Sequence, residues 1–187
     1  MNEPWFYVLW AAGTYLLGSV SVGDVVARGA GVDIRRLGTG NPGTANILRE
    51  IGARYAAVVF LGDVVKGAAA TVPVYVMSLP SWVGALAGVS LLGGHFFPVP
   101  WRRTGGTGMA TAMGITIGLL PVGVAAATVP GIIAVAVTRN AAFAGGLFLV
   151  LTAAVGGWYQ QDWTATAGVA LIAAAVAIKS WHQYRWL

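Results

Sequence analysis

Long runs without a charged side chain constrain this chain more than any other feature. Residues 5–22, 82–97, 109–137, 142–157 and 163–178 contain no Asp, Glu, Lys or Arg at all. Residues 55–79 form another apolar run, broken only by Asp63 and Lys66. A bilayer core takes about 20 apolar residues as a helix. Lipid cannot satisfy backbone N–H and C=O groups, so such segments must be helical. Composition agrees: 57% of the residues are hydrophobic and 9% charged, where a soluble domain carries about a quarter charged residues. The expectation is an all-α integral membrane protein. Residues 1–187 form a single polytopic domain, with polar segments at about residues 24–54 and 98–108.

Pro121 reads as a turn or a helix start. Residues 109–120 and 121–137 are therefore two spans or one kinked helix. The basic residues decide between them. With seven helices and the N-terminus outside, Arg28, Arg35, Arg36, Arg49, Arg54, Arg102, Arg103, Arg139, Lys179 and Arg185 all fall inside. Lys66 is then the remaining basic residue, and the outside segments hold none. Fusing the two pieces would put Arg139 and the tail outside, against the positive-inside rule. The expectation is therefore about seven transmembrane helices with a cytoplasmic C-terminus. The first segment lacks the basic start of a cleaved signal peptide and is expected to be retained.

Several function classes fall away. The chain has no cysteine, which removes disulfides, thiolate nucleophiles and thiolate metal sites. Its two histidines, His95 and His182, lie far apart and argue against a histidine-rich metal centre. No metal or cofactor is expected. A net charge of +5 would suggest nucleic acid in a soluble protein. In a membrane protein it fits the positive-inside rule and an anionic leaflet or substrate, so no nucleic acid is expected.

The most polar stretch is residues 31–49, GVDIRRLGTGNPGTANILR. Gly31, Gly38, Gly40 and Gly43 let backbone N–H groups converge on an anion. Arg35, Arg36 and Arg49 offer planar forks of donors suited to phosphate. Glycine and asparagine also make ordinary turns, and arginine beside a membrane can simply fix orientation. Asp63 and Lys66, three apart, share a helix face and can pair. Each costs roughly 2.5–3.5 kcal/mol at mid-bilayer unless paired or used.

Three segments together resemble the bacterial acyl-phosphate:glycerol-3-phosphate acyltransferase family (PlsY). The family loop G-x-D-I-R-x-x-G-S-G-N-x-G-A-T-N-x-x-R is matched by Gly31, Asp33, Ile34, Arg35, Gly38, Gly40, Asn41, Gly43, Asn46 and Arg49. Thr39 stands for the usual Ser, and Thr44-Ala45 reverses Ala-Thr. The second match is D-x-x-K-G at residues 63–67. The third is G-H-x-F-P-x-x-x-x-F-K-G-G-K-G-V-A-T, kept at Gly94, His95, Phe97, Pro98, Gly105, Gly106, Gly108, Ala110 and Thr111. Thr104 and Thr107 replace its two lysines, of which one is expected to hold substrate phosphate; the neighbouring Arg102 and Arg103 are candidates to substitute. In the tail His182 matches the family histidine, while Arg185 takes the place of an asparagine. Ala141 and Ala142 stand where serines are usual.

The resemblance implies acyl transfer from acyl phosphate to glycerol 3-phosphate at the cytoplasmic face of the cell membrane. Membrane lipid is the further partner, and oligomeric state stays open. Thr39 and Arg49 take positions that bind glycerol 3-phosphate; with His95 and His182 they are the catalytic candidates. Arg35, Gly40, Asn41, Gly43, Asn46, Lys66, Arg102, Arg103, Gly105, Gly106, Thr107 and Gly108 are the substrate- and phosphate-binding candidates. Phosphate is a good leaving group, so such a site needs charge neutralisation and alignment more than a nucleophilic triad. No G-x-S-x-G elbow occurs. In the family the acceptor's own phosphate takes the hydroxyl proton. Two other readings stand beside this one: a catalytically impaired relative that binds a phosphorylated ligand or headgroup, favoured by Thr104, Thr107 and Arg185, and a small anion transporter. The absence of an inverted repeat weighs against the transporter.

Overall fold

The computed structural model describes residues 4–99 and 104–184, and every regular element among them is helical. In chain order these are α1 (Pro4–Ser19), α2 (Val22–Gly29), a 3₁₀ turn (Ile34–Arg36), α3 (Thr44–Glu50), α4 (Ala53–Val76), α5 (Ser81–Phe96), α6 (Met109–Leu119), α7 (Pro121–Thr138), α8 (Ala141–Gln160) and α9 (Trp163–Tyr184). Five stretches are long and apolar enough to cross a bilayer: Pro4–Gly29, Ala53–Val76, Pro121–Thr138, Ala141–Gln160 and Trp163–Gln183. α5, with 16 residues, and α6, with 11, are shorter than the roughly 20 a straight crossing takes.

The chain does break before Pro121. α6 ends at Leu119, Leu120 leaves the helical region, and Pro121 opens α7 where a missing N–H costs nothing. The segment read as one polar loop, residues 24–54, is instead folded. The Ser21 hydroxyl caps α2 by accepting from the Asp24 N–H. The Asp33 carboxylate caps the 3₁₀ turn in the same way through the Arg35 N–H. Ala27, Ile34 and Ile47 then pack with Ala56 and Val59 of α4 into a small second core. Elements of three to eight residues leave too little periodicity to be read from a sequence.

Glycine sets how closely the long helices approach. A Cβ at Gly114 on α6 would lie 2.0 Å from the Val64 carbonyl oxygen of α4, and one at Gly67 on α4 would lie 2.3 Å from the Thr111 oxygen. Gly18 and Gly94 do the same for α1 and α5, and Gly123 does so for α7 against α8. Such approach is how helices associate where lipid supplies no hydrophobic drive. Thr71 adds an interhelical hydrogen bond, its hydroxyl donating to the Ile115 carbonyl at 2.9 Å. Leu9, Leu61, Val65, Ile132, Val150 and Leu171 stay exposed around the bundle, as lipid-facing side chains would.

The two ends of the bundle differ. At one, Tyr7 of α1 stacks obliquely on Trp82 of α5, and Trp158 and Trp163 are exposed at the α8–α9 turn. Aromatic girdles of this kind sit at membrane interfaces. The other end gathers the start of α4, the ends of α5, α7 and α9, and the α2–α3 cap. It carries the described Lys and Arg residues other than Lys66. α6 climbs only about 16 Å, so its N-terminus, and the 104–108 loop before it, start well inside the bundle at this end.

Candidate active site

The centre of the polar end is a buried cluster on α4 and α5. Lys66 is only 4% exposed in its side chain, and its Nζ lies 2.9 Å from Asp63 Oδ1. It also donates to the Val20 carbonyl at 3.2 Å and meets His95 Nδ1 at 3.0 Å. The Val20 carbonyl is available because the chain breaks between α1 and α2, leaving it outside the helical ladder. An ammonium can only donate, so Nδ1 accepts and the imidazole proton sits on Nε2. Thr111 Oγ1 stands 3.5 Å from the same Nδ1.

His95 Nε2 faces the glycine loop. A Cβ placed on Gly106 would be 3.1 Å from His95 Nε2 and 3.2 Å from Asn41 Oδ1. Gly106 of the third motif therefore packs against Asn41 of the first as well as against His95, and the second motif, Asp63–Lys66, lies behind His95. Gly105 crosses the end of α5, donating its N–H to the Phe96 carbonyl, with no room for a side chain beside the His95 oxygen. Gly108 adopts φ +78° as it enters α6, a conformation suited to glycine.

The 37–46 loop is braced from within. Asn46, 2% exposed, accepts from the Thr39 N–H at 3.0 Å and donates to the Leu37 carbonyl at 3.1 Å. Asn41 accepts from the Gly43 N–H, and Thr39 Oγ1 accepts from the Asn41 N–H. Gly38 and Gly40 both take positive φ, which the tight path demands. Arg35 clamps this region to the third motif. Its Nε and Nη2 donate to the Asp24 carboxylate at 2.8 and 2.6 Å, and its Nη1 donates to the Thr104 carbonyl at 2.8 Å. A bidentate pair of this sort is strong and directional.

The sequence-derived candidates therefore divide. Asn41, Lys66, His95, Gly105, Gly106 and Gly108 converge, with Thr39, Gly40 and Gly43 in the adjoining loop. Arg35 and Asn46 lie in the same region, but their donors serve Asp24, Thr104 and Leu37. Thr107 is partly buried within the third-motif loop. Arg49 is exposed on α3 and donates to the Ala45 carbonyl. His182 is exposed near the end of α9, with Nδ1 at 2.9 Å from the Ile178 carbonyl. The described contacts join neither Arg49 nor His182 to His95. Arg102, Arg103 and Arg185 lie outside the described residues. Asp24 and the Val20 carbonyl were not anticipated. Asp24 could have been suspected as an acid at the edge of an apolar run, but a helix break that frees a carbonyl leaves no sequence mark.

Two cavities of about 520 Å³ each lie away from this cluster. One opens at the aromatic end beside Tyr75, Ser78, Ser81 and Gln160; its carboxylate, Asp162, accepts from Ser81 and caps α9 through the Ala165 N–H. The other is an apolar groove between α8 and α9. Neither holds a motif residue, and the chemistry follows the convergent polar groups. Among the described residues, no group of three or more His, Asp or Glu is placed to hold a metal ion.

Fold and site together define a polytopic helical membrane protein with a buried Lys–His–Asp cluster beneath glycine-rich, anion-type loops. The chain belongs to the glycerol-3-phosphate acyltransferase family, whose sequence model matches residues 8–186. It is 35% identical to the glycerol-3-phosphate acyltransferase of Halalkalibacterium halodurans over 189 aligned residues, covering 99% of this chain and 90% of that one. The enzyme of the same name from Aquifex aeolicus is 39% identical over 117 residues, 62% of this chain and 59% of the relative. The match thus spans under two thirds of that relative's length. A crystal structure of PlsY (YgiH), an integral membrane glycerol 3-phosphate acyltransferase in its glycerol 3-phosphate form, superposes with a TM-score of 0.84 at 27% identity, covering 92% of this chain and 87% of that chain. The lysophosphatidic acid form gives 0.83 at 26% identity, with the same coverage.

Proposed function

We propose that this protein is a membrane acyltransferase that moves a fatty acyl group from acyl phosphate to glycerol 3-phosphate, yielding lysophosphatidate. The hydroxyl oxygen of glycerol 3-phosphate attacks the acyl carbonyl carbon and forms the ester bond. The bond from that carbon to the phosphate oxygen breaks, and inorganic phosphate leaves with the electron pair. The hydroxyl proton passes to a phosphate oxygen, so no protein base is required. Backbone N–H groups of the 37–46 and 104–108 loops, with Thr39 and Asn41, hold the phosphates. His95 donates from Nε2 to the oxygen that gains charge. Lys66 and Asp63 fix that ring, and Arg35 and Asn46 hold the loops around it. Arg49 and His182, exposed and outside the described contacts of His95, are assigned to the incoming glycerol 3-phosphate.

One observation carries this reading: Gly106 lies against both Asn41 and His95, so two motifs distant in sequence share one position. The layout is seven crossings in the cell membrane, N-terminus outside, with the site open to the cytoplasm where a soluble phosphorylated metabolite arrives. The test is purified protein in lipid with labelled glycerol 3-phosphate and acyl phosphate. Labelled lysophosphatidate is expected, dependent on the acyl phosphate; no product from either acyl phosphate or acyl-CoA overturns the proposal. A second reading, a relative that binds glycerol 3-phosphate without acylating it, is favoured by the uncharged Thr104 and Thr107. Binding without turnover, and turnover gained in Thr107→Lys, would select it.

A further inference from the structure

The two cations inside the cluster are committed. Lys66 is held by Asp63, Val20 and His95. Arg35 is held by Asp24 and Thr104. Thr104 and Thr107 add no charge. Yet a dianionic leaving group needs a cation that strengthens its contact as charge develops.

α9 delivers one. Lys179 Nζ sits 5.1 Å from the Phe97 ring centroid and 5.6 Å from that of Phe96. Phe96 and His95 flank the third-motif loop: a Cβ on Gly108 would meet Phe96 Cε1 at 2.7 Å and His95 Cδ2 at 3.4 Å. Among the described residues Lys179 meets no carboxylate. Its resting contact is cation–π, weaker than a charge-assisted bond to phosphate. A four-carbon stem lets the ammonium leave the rings for a nearby anion. Phe97 is 62% exposed, so the rings beneath Lys179 run from the His95 cluster to the protein surface.

Resting on the acyltransferase reading above, we propose that Lys179 is the residue that binds the phosphate of the acyl donor, reaching it from α9 across Phe96 and Phe97. It is a donor-specific contact and leaves glycerol 3-phosphate to the 37–46 loop.

The experiment compares wild type, Lys179→Met and Lys179→Arg in lipid nanodiscs, with each substrate varied in turn. Lys179→Met keeps the packed stem and removes the charge. It should raise KM for acyl phosphate about tenfold or more, the loss of one charged contact, while KM for glycerol 3-phosphate and the melting temperature stay near wild type. Lys179→Arg should recover most of the affinity. Wild-type KM for acyl phosphate in Lys179→Met, or an equal rise in both KM values, overturns the proposal. If wild type shows no turnover, the acyltransferase reading fails instead. Lys179 is then judged by equilibrium binding of a non-transferable acyl phosphonate: about tenfold weaker binding in Lys179→Met supports it, and equal binding refutes it.

Discussion

His95 is asked to do two things with one ring. Its Nδ1 accepts from the Lys66 ammonium, and its Nε2–H points to the glycine loop. Substitution can separate these jobs. In His95→Asn the amide can face Lys66 but cannot reach the loop. Turnover should fall about 100-fold, the range for losing one positioned donor, while the melting temperature changes little. In His95→Gln a donor remains near the loop and Lys66 loses its acceptor, so stability should fall by about 1–3 kcal/mol with part of the activity kept. Full turnover in the Asn variant would remove His95 from the chemistry. Gly106→Ala tests the same geometry from the other side. Its Cβ would press on both His95 Nε2 and Asn41 Oδ1. The initial rate should drop about tenfold or more from misplacement, with secondary structure by circular dichroism unchanged. At this scale function is most legible where a charge interrupts an apolar run, as at Lys66 and Asp63. It was ambiguous for Arg35 and Asn46, because a donor that braces a loop and one that binds phosphate are the same residue type. Only the partners distinguish them.

Element by element, what reads out of the sequence depends on length. α4, α8 and α9 each carry enough uncharged residues to be recognised as spans, and Pro121 marks the α6–α7 break. α2 and α3 do not, since seven or eight residues between glycines look like a loop. The pairing of α4 with α6 was also unreadable: Gly67, Gly114 and Gly118 are three of many glycines, and only contact shows which ones face a partner. That pairing places Lys66 beside the start of α6, where Thr111 touches His95. Gly114→Ala should therefore do two things. Its Cβ would fall 2.0 Å from the Val64 oxygen, and forcing the helices apart should cost about 1–3 kcal/mol. Thermal unfolding in detergent would show the loss, and activity below the melting range should fall with it as Lys66 shifts. Gly146→Ala is the control, because a Cβ there meets nothing within 4 Å. Equal stability of both variants would mean that α4 and α6 are not held by backbone contact.

For the whole molecule, the distribution of charge argues for one orientation, and the number of crossings can be counted by parity. Ser78, in the α4–α5 turn, and Asp162, in the α8–α9 turn, line the same cavity, so these turns share an end of the bundle. Four helices, α5 to α8, separate them. An even number of crossings returns the chain to its starting side, so the proposed seven-crossing layout counts α6 as one, although its 11 residues fall short of a full span. If α6 and α7 were one kinked crossing, the two turns would lie on opposite sides. The chain contains no cysteine, so single-cysteine variants need no background removal. Ser78→Cys, Gln161→Cys and Arg139→Cys each replace a non-glycine residue of positive φ in a turn, which keeps the backbone cost comparable. With a membrane-impermeant maleimide on intact spheroplasts, Ser78→Cys and Gln161→Cys should label directly, and Arg139→Cys only after permeabilisation. Opposite labelling of Ser78 and Gln161 would reduce the count by one. Direct labelling of Arg139→Cys, with Ser78→Cys and Gln161→Cys labelled only after permeabilisation, would invert the molecule and turn the His95 end away from the cytoplasm, where a soluble phosphorylated acceptor is made.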